Sequence, residues 1–252
     1  MPLSFVGTGI WDETDISLKG LQELKDSDVV FAEQYTSETK HGTLGRLEKL
    51  CGKKIAVLPR AEVEDGKAIL KEAETKRVAL VVAGDPMVST THLSLKLDAA
   101  KKKIPVRIIH ASSILSAAIS ESGLHTYKFG KPVTLPFWTD KYKPTSTYDA
   151  IAENLSRGLH TMLFLDLKDS LRMGAKEAME LLLKIEGERK GNIISSETRL
   201  LVLSRVGSEE AKLSYGTIEK LLAAELGSTP FLLIIPGKLH FTEEEALLTT
   251  SI

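Results

Sequence analysis

The sequence predicts an α/β protein made of two α/β domains. Short apolar runs alternate with longer amphipathic segments along most of the chain, which is typical of strands covered by helices. Most of the short runs end near Gly, Pro or Asp, which favour loops. The alternation breaks at residues 123–144, where Gly, Pro, Lys and aromatic residues are frequent. We therefore expect one domain over residues 1–122 and another over residues 123–252, with a ligand cleft between them.

Five apolar runs in the first half predict the strands of a parallel sheet, because each is short and rich in aliphatic or β-branched residues. These runs are residues 3–6, 29–32, 55–58, 78–82 and 106–109. Leucines at helical spacing between the runs predict the covering helices. The residues that mark these helices are Leu18, Leu21 and Leu24, then Leu44, Leu47 and Leu50, and then Leu93, Leu95, Leu97 and Ala100.

The second half begins with a segment that the composition predicts to be a linker with an irregular strand, at residues 123–144. Helices are predicted at residues 146–157, 175–186 and 218–224. Strands are predicted at residues 161–165, 200–203 and 231–235. Turns at residues 191–192 and 227–230 separate the later elements.

The charge balance of the chain argues against a nucleic-acid partner. Lys and Arg number 33 against 34 Asp and Glu, a formal net charge of -1, so we expect no broad cationic surface. Cys51 is the only cysteine, which excludes an intrachain disulfide and a multi-cysteine metal site and predicts a buried or unreactive thiol. The six histidines are scattered, so no metal site is expected.

Targeting signals are not recognisable in the sequence. The first residues, MPLSFVGTGIWDE, lack the basic region and long apolar core of a signal peptide. No apolar run approaches the roughly 20 residues that a membrane span requires. We therefore expect a cytoplasmic protein with no membrane partner.

A strand that runs into Gly7-Thr8-Gly9 is the first candidate binding feature, because glycine lets backbone or ligand approach closely. Glu33, at the end of the second strand, stands where a dinucleotide-binding fold places its ribose-binding acid. That fingerprint also requires a third glycine, and Asp12 occupies its position, so a nicotinamide cofactor is disfavoured. The alternative is that both glycines serve only a tight turn.

Gly84-Asp85-Pro86 is a sharper candidate, because it directly follows the buried strand at residues 78–82. Ligands of open α/β sheets bind at the carboxyl ends of the strands, which is where the Asp85 carboxylate is predicted to lie. Asp-Pro is also a common start of an ordinary turn, so the sequence alone leaves both readings open.

Two further candidates follow apolar strands. Ser113, in His-Ala-Ser-Ser-Ile at residues 110–114, opens an apolar helix, where it either caps the helix or receives a ligand. His240 follows a Pro-Gly turn and could reach a cleft, although a single histidine is more often a structural residue. Phosphate-loop, nucleophile-elbow and His-Glu-x-x-His motifs are absent from the sequence.

Together these fragments resemble the class III, or tetrapyrrole-methylase-like, family of S-adenosylmethionine-dependent methyltransferases, and in particular its archaeal-type branch that forms diphthine. The resemblance covers nearly the whole chain. The segments that carry it include FVGTGIWDE at residues 5–13, AGDPMVSTTH at 83–92, HASSI at 110–114, GLHTYKFGK at 123–131, GLHTMLFLDLK at 158–168 and PGKLH at 236–240. Gly-Asp-Pro is shared widely in the family, whereas the later segments are more specific to this branch.

The resemblance implies two α/β domains, a homodimer and S-adenosyl-L-methionine bound between the domains, with S-adenosyl-L-homocysteine as a product. It also implies the cofactor-binding residues, which are Ile10, Asp85, Val88, Ser113, Ile114, Leu165, Val206 and His240. The implied substrate is the amino group of a 3-amino-3-carboxypropyl-modified histidine of translation elongation factor 2. No catalytic residue is assigned, because the sulfonium already carries an activated leaving group.

Three alternatives remain at this point. The first is a class III methylase that acts on a tetrapyrrole or on ribosomal RNA. The second is a noncatalytic adaptor that keeps the fold and binds the elongation factor. The third is a nicotinamide-dependent oxidoreductase.

Overall fold

The computed structural model describes residues 2–168 and 171–252, and the chain divides into two units, Met1–Ser116 and Ala117–Ile252. This division falls inside a helix, Ile114–Ser122. The boundary predicted between residues 122 and 123 corresponds to the end of that helix and stays a prediction. Among the described residues, no helix has the length and apolar character that crossing a membrane requires.

The first unit contains a sheet of five strands in the order β3-β2-β4-β1-β5. The strands are β1 (Leu3–Gly7), β2 (Val29–Ala32), β3 (Ile55–Val57), β4 (Val78–Val82) and β5 (Val106–Ile109). All four pairings are parallel. The predicted strands are therefore confirmed, with β1 one residue longer and β3 one residue shorter than expected.

Helices cover both faces of this sheet. They are α1 (Leu18–Asp26), α2 (Thr43–Cys51), α3 (Arg60–Asp65), α4 (Lys67–Ala73) and α5 (Leu93–Lys101). Helix α6 (Ile114–Ser122) follows β5 and contains the division between the two units. Leu24 of α1 and Leu47 of α2 pack on one face, in a cluster that also holds the buried Cys51. Ile69 of α4 and Leu95 of α5 pack on the other. Alternate residues along each strand supply the two clusters, because successive strand side chains point to opposite faces.

Helix α5 shows which of its leucines serve the core. Leu95 is 2% exposed and Ala99 is fully buried, whereas Leu93 and Leu97 are 58% and 53% exposed. Residues 93 and 97 share one side of a helix and residues 95 and 99 lie on the opposite side, so both pairs cannot face the sheet. The prediction of α5 is confirmed, but only one of its apolar sides is buried in the first unit.

The chain leaves the neighbouring strands β1 and β4 in opposite directions. From β1 it passes through α1 to β2, beyond β4, and from β4 it passes through α5 to β5, beyond β1. Right-handed crossovers then put the two connections on opposite faces of the sheet. Such a reversal opens a crevice at the carboxyl ends of the two strands, which is where ligands bind in open α/β sheets.

The second unit contains a mixed sheet in the order β11-β10-β12-β7-β6 and a separate hairpin. The sheet strands are β6 (Val133–Leu135), β7 (Thr161–Leu165), β10 (Arg199–Ser204), β11 (Lys212–Thr217) and β12 (Phe231–Ile235). The hairpin pairs β8 (Leu167–Lys168) with β9 (Leu171–Arg172). Only β6 and β7 pair in parallel, and the other three pairings of the sheet are antiparallel.

Four helices complete this unit: α7 (Ser146–Ser156), α8 (Ala175–Arg189), α9 (Ile218–Ala223) and α10 (Phe241–Leu248). Buried residues of α7, α8 and α9 form one core with the sheet. The predicted strands and helices of this half are confirmed within a few residues. Strand β11 was not predicted, because its sequence KLSYGT has no continuous apolar run.

Candidate functional site

Three loops of the first unit follow β4, β1 and β5, which are adjacent in the sheet. The loops after β1 and β4 are tied together by a bridge between Gly9 and Gly84. Gly84 N donates to Gly9 O at 2.7 Å, and Gly9 N donates to Gly84 O at 3.4 Å. Both glycines have positive φ, 84° and 70°, which side chains other than glycine rarely adopt. The bridge therefore joins the two loops on either side of the predicted crevice.

Gly7 is required by close packing. A Cβ built at Gly7 would lie 2.4 Å from Gly84 O and 2.9 Å from both Pro86 Cδ and Ala111 Cβ. Residues of the loops after β4 and β5 therefore approach the end of β1 at distances that only a glycine permits. The interpretation that Gly7 serves only a tight turn is therefore incomplete, because the missing side chain also lets the neighbouring loops pack against the end of β1.

Asp85, in the loop after β4, is a buried carboxylate with a relative exposure of 9%. Its Oδ2 lies 2.7 Å from His110 Nδ1, and its Oδ1 accepts a hydrogen bond of 3.3 Å from Met87 N. A carboxylate has about four lone-pair positions, so Asp85 keeps acceptor capacity for a ligand hydroxyl or ammonium group. The His110 side chain is 73% exposed.

The loop after Gly9 is closed by its own carboxylates. Asp15 Oδ2 accepts from Trp11 N at 2.7 Å, and Asp12 Oδ1 accepts from Thr14 N at 3.0 Å. The hydrogen bond from the Thr14 hydroxyl is the main cause that lowers the pKa of Asp12 below its ordinary value. Asp12 thus caps a 3-10 turn at Glu13–Asp15, which explains why no glycine stands there.

Five of the eight predicted cofactor residues lie on these three loops or directly after them. Ile10 follows the glycine bridge and is half-buried, and Val88 is 37% exposed beyond Asp85. Ser113 Oγ accepts a 3.3 Å hydrogen bond from Leu115 N, so it caps α6, which is one of the two roles that the sequence left open. Ile114 is the first residue of α6. The carboxyl edge of the first sheet therefore brings together the residues predicted in this half.

Leu165 and Val206 lie at the same end of the second sheet, measured along its strands. Leu165 ends β7, and Val206, 6% exposed, follows the end of β10. Both strands are antiparallel to β12, so their carboxyl ends meet the start of β12 at Phe231. Phe231 is half-buried there and was not singled out in the sequence, because nothing local marks the start of a strand as a site.

His240 lies at the opposite end of the strands of this sheet, beyond the carboxyl end of β12. It is the N-cap residue of α10, and its Nδ1 lies 2.8 Å from Thr242 Oγ1. Its ring lies next to those of His125 and Phe241, with centroids 5.3 Å and 4.3 Å away. The structure thus separates His240 from Leu165 and Val206 by the length of a strand and gives it a capping role.

Comparison with known proteins identifies the class to which this fold and edge belong. The family model described as Tetrapyrrole (Corrin/Porphyrin) Methylases matches residues 2–222. The chain belongs to this family, and it is a methyltransferase.

Relatives named diphthine synthase define the branch. The diphthine synthase of Methanocaldococcus jannaschii is 42% identical over 250 residues, and that of Methanococcus maripaludis (strain DSM 14266) is 44% identical over 248 residues. Each match covers 97% of both chains. A crystal structure of diphthine synthase matches with a TM-score of 0.91 and 34% identity, covering 100% of this chain and 96% of the other. Within the family, the chain groups with the diphthine synthases, and these relatives do not favour a tetrapyrrole or ribosomal RNA methylase.

Proposed function

We propose that the protein transfers methyl groups from S-adenosylmethionine to the amino group of a 3-amino-3-carboxypropyl-modified histidine of translation elongation factor 2, which gives diphthine. The observation that carries this proposal is the pair of loops joined by the Gly9–Gly84 bridge, next to the buried Asp85. The chain that holds these loops matches a diphthine synthase over 97% of its length. The name of those relatives, diphthine synthase, gives diphthine as their product.

The residues of the loops after β1, β4 and β5 fit S-adenosylmethionine. The Asp85 carboxylate has free acceptor positions for the hydroxyl or ammonium groups of the cofactor. A Cβ built at Gly84 would meet only Ser112 O, at 4.0 Å, so the space beside this backbone is open to a ligand. Ile10 and Val88 offer apolar surface on the flanking loops, and Ser113 and Ile114 complete the set in this unit. When bound, the cofactor supplies a methyl group on a sulfonium, which is already activated for transfer.

In the second unit we propose Leu165, Val206 and Phe231 as the cofactor-contacting residues. They share one end of the second sheet, and an aromatic ring such as that of Phe231 suits an adenine base. His240 is left out of this set because it lies at the other end of the strands. The binding of the cofactor between the two domains stays a prediction of the sequence.

The protein's own groups then have a limited task. Because the leaving group is activated, the chain has to align the amine with the methyl carbon and exclude water from the reacting atoms. The partner is translation elongation factor 2 as a protein substrate, and cytoplasmic localisation follows from that substrate. We also propose a homodimer, for which sedimentation velocity is the test.

The proposal is tested by incubating the protein with labelled S-adenosylmethionine and elongation factor 2 that carries the aminocarboxypropyl-histidine. Peptide mass spectrometry then locates the label and counts the methyl groups. Elongation factor 2 with the unmodified histidine is the matched control, and it should stay unlabelled. Label on the modified histidine supports the proposal, whereas cofactor binding with no transfer to a verified substrate would refute it and favour the adaptor.

A further inference from the structure

Methyl transfer to an amine requires a proton acceptor, which neither the sequence nor the family comparison assigns. An amine is protonated near neutral pH and has no lone pair to attack with until it loses a proton. If the function proposed above is correct, one proton must therefore leave the substrate nitrogen for each methyl group that is added. The proton acceptor has to lie near the loops that follow β1, β4 and β5, where the cofactor is proposed to bind.

Each carboxylate of these loops already takes part in a local contact. Glu13 is paired through Oε1 with Arg46 Nε at 2.6 Å, and its buried Oε2 has no hydrogen-bond partner within the described part of the chain. Asp15 accepts backbone N–H groups of its own loop, and Asp12 caps a turn. Asp85 accepts from Met87 N and is paired with His110. A carboxylate with an ordinary pKa near 4 is also a weak acceptor for the proton of an ammonium group.

Two histidines lie on the same loops, and only one is available. His92 is 1% exposed, with Nδ1 3.2 Å from Pro86 O and Nε2 3.5 Å from Tyr35 Oη. His110, by contrast, is 73% exposed. Its Nδ1 faces the Asp85 carboxylate, so in the neutral imidazole the hydrogen is placed on Nδ1 and the lone pair on Nε2. Across residues 2–168 and 171–252, no hydrogen bond engages Nε2.

We propose that His110 Nε2 accepts the proton of the substrate amine and that Asp85 is a positioning residue, which holds the imidazole in the required tautomer. A buried carboxylate paired with an exposed imidazole is an arrangement that orients a histidine base. An imidazole changes charge near neutral pH, which matches the requirement for a general base better than a carboxylate does.

The substrate ammonium gives one proton to His110 Nε2, and the nitrogen regains its lone pair. That lone pair forms the new nitrogen–carbon bond while the carbon–sulfur bond breaks, and the electron pair of the broken bond stays on sulfur. The imidazolium then releases its proton to solvent before the next transfer.

The test compares His110→Gln and His110→Ala with the wild-type protein and with His41→Gln, a control that replaces another exposed histidine of the first unit. Transfer rates are measured on modified elongation factor 2, cofactor affinity by calorimetry, and folding by thermal unfolding. We expect both His110 variants to lose about 10²-fold in kcat, with cofactor affinity and unfolding temperature close to wild type. Added imidazole should restore at least part of the rate of His110→Ala, and His41→Gln should act like wild type.

Each outcome has a distinct meaning. Rescue of His110→Ala by imidazole supports the base, because a merely structural role would not respond to a free base. If the wild type transfers methyl groups and the His110 variants do so at the same rate, the role of His110 is overturned and the proposed function remains. The role of His110 is also overturned if the variants lose both rate and cofactor affinity and imidazole does not restore the rate. No transfer by wild type on verified substrate overturns the proposed function and this inference together.

Discussion

Glu243 is a fully buried carboxylate in the first turn of α10, and it organises the polar interior of the second unit. It accepts hydrogen bonds from Lys128 Nζ and from the backbone N–H groups of His125 and His240. Burial alone would raise the pKa of Glu243, but these donors, with His160, outweigh it and lower the pKa to about 2. The carboxylate therefore stays ionised in the folded protein.

His160 is the neutral partner in this cluster. Burial lowers the pKa of His160, and the opposing effect of Glu243 does not overcome it. Gly237 N donates to His160 Nδ1 at 2.9 Å, so Nε2 carries the hydrogen and donates to Glu243 Oε1 at 3.0 Å. The cluster thus has one charge of each sign, on Glu243 and Lys128, with a neutral imidazole beside them.

The lowered pKa of Glu243 makes stability depend on pH. A carboxylate whose pKa falls from 4.5 to about 2 on folding contributes stability that is present above pH 4.5 and is lost as the pH falls toward 2. We expect Glu243→Gln to lower the free energy of unfolding at pH 7 by about 3 kcal/mol, since it breaks a buried ion pair. Urea unfolding at pH 7 and at several lower pH values measures both effects.

The control for this experiment is Glu244→Gln, which removes an exposed carboxylate from the same helical turn. It should change stability by no more than about 0.5 kcal/mol. The Glu243→Gln variant should also lose part of the stability gain that the wild type shows between about pH 2 and 4.5. Equal effects of the two variants, or an unchanged pH dependence, would contradict the role of Glu243.

Asp85 allows a second prediction at the scale of one residue. Asp85→Asn keeps the size of the side chain but removes the charge that faces His110 and the proposed cofactor. We expect cofactor affinity to fall roughly tenfold or more, because hydrogen bonds to a charged acceptor contribute about 1.5–3 kcal/mol. Calorimetric titration with S-adenosylhomocysteine measures this loss, and the unfolding temperature of the cofactor-free protein should change little. A large loss of stability with unchanged affinity would show that Asp85 is only a turn residue.

At the scale of elements, the loops after β4 and β5 pack closely against Gly7 at the end of β1. In Gly7→Ala the new methyl group would lie 2.4 Å from the backbone oxygen of Gly84, which cannot move without breaking the Gly9–Gly84 bridge. We expect a loss of about 1–3 kcal/mol in stability from this overpacking, together with weaker cofactor binding. Urea unfolding and calorimetry on the same variant test the two effects.

Gly45→Ala in α2 is the matched control for Gly7→Ala. A Cβ at Gly45 would meet nothing within 4 Å, and alanine is favoured over glycine in a helix. This variant should be neutral or more stable by up to about 1 kcal/mol, with unchanged cofactor affinity. If Gly7→Ala behaved in the same way, the loops would not require the close approach that the structure shows.

At the scale of the whole molecule, charge separates the proposed protein substrate from ribosomal RNA. The formal net charge of -1 provides no excess of cations to release counterions from phosphates. We expect no measurable binding of ribosomal RNA at physiological ionic strength in a fluorescence-anisotropy titration, and no label on RNA in the transfer assay. Salt-dependent binding of RNA, with methyl transfer to it, would revive the RNA methylase alternative.

Much of the fold could be predicted because its signals are local. The five strands of the first sheet are apolar runs, and the helices α1, α2 and α5 have leucines at helical spacing. The short helices α3 and α4 were not predicted, because they have no such series of leucines. The Asp85 loop was predicted for the same reason, since Gly-Asp-Pro directly follows a buried strand. Strand β11 was not predicted, because its residues lack an apolar run. It is recognised as a strand only by its antiparallel pairing with β10.

The sequence by itself thus determined the two α/β halves, the family and the loop residues of the first unit, because these depend on patterns within short segments. Tertiary structure alone decided which distant segments meet. It paired Asp85 with His110, 25 residues apart, chose Leu95 over Leu93 for the core, and separated His240 from Leu165 and Val206. Strand order and direction determine these contacts, and no local pattern specifies them, because the free energy of pairing comes from residues far apart in the chain.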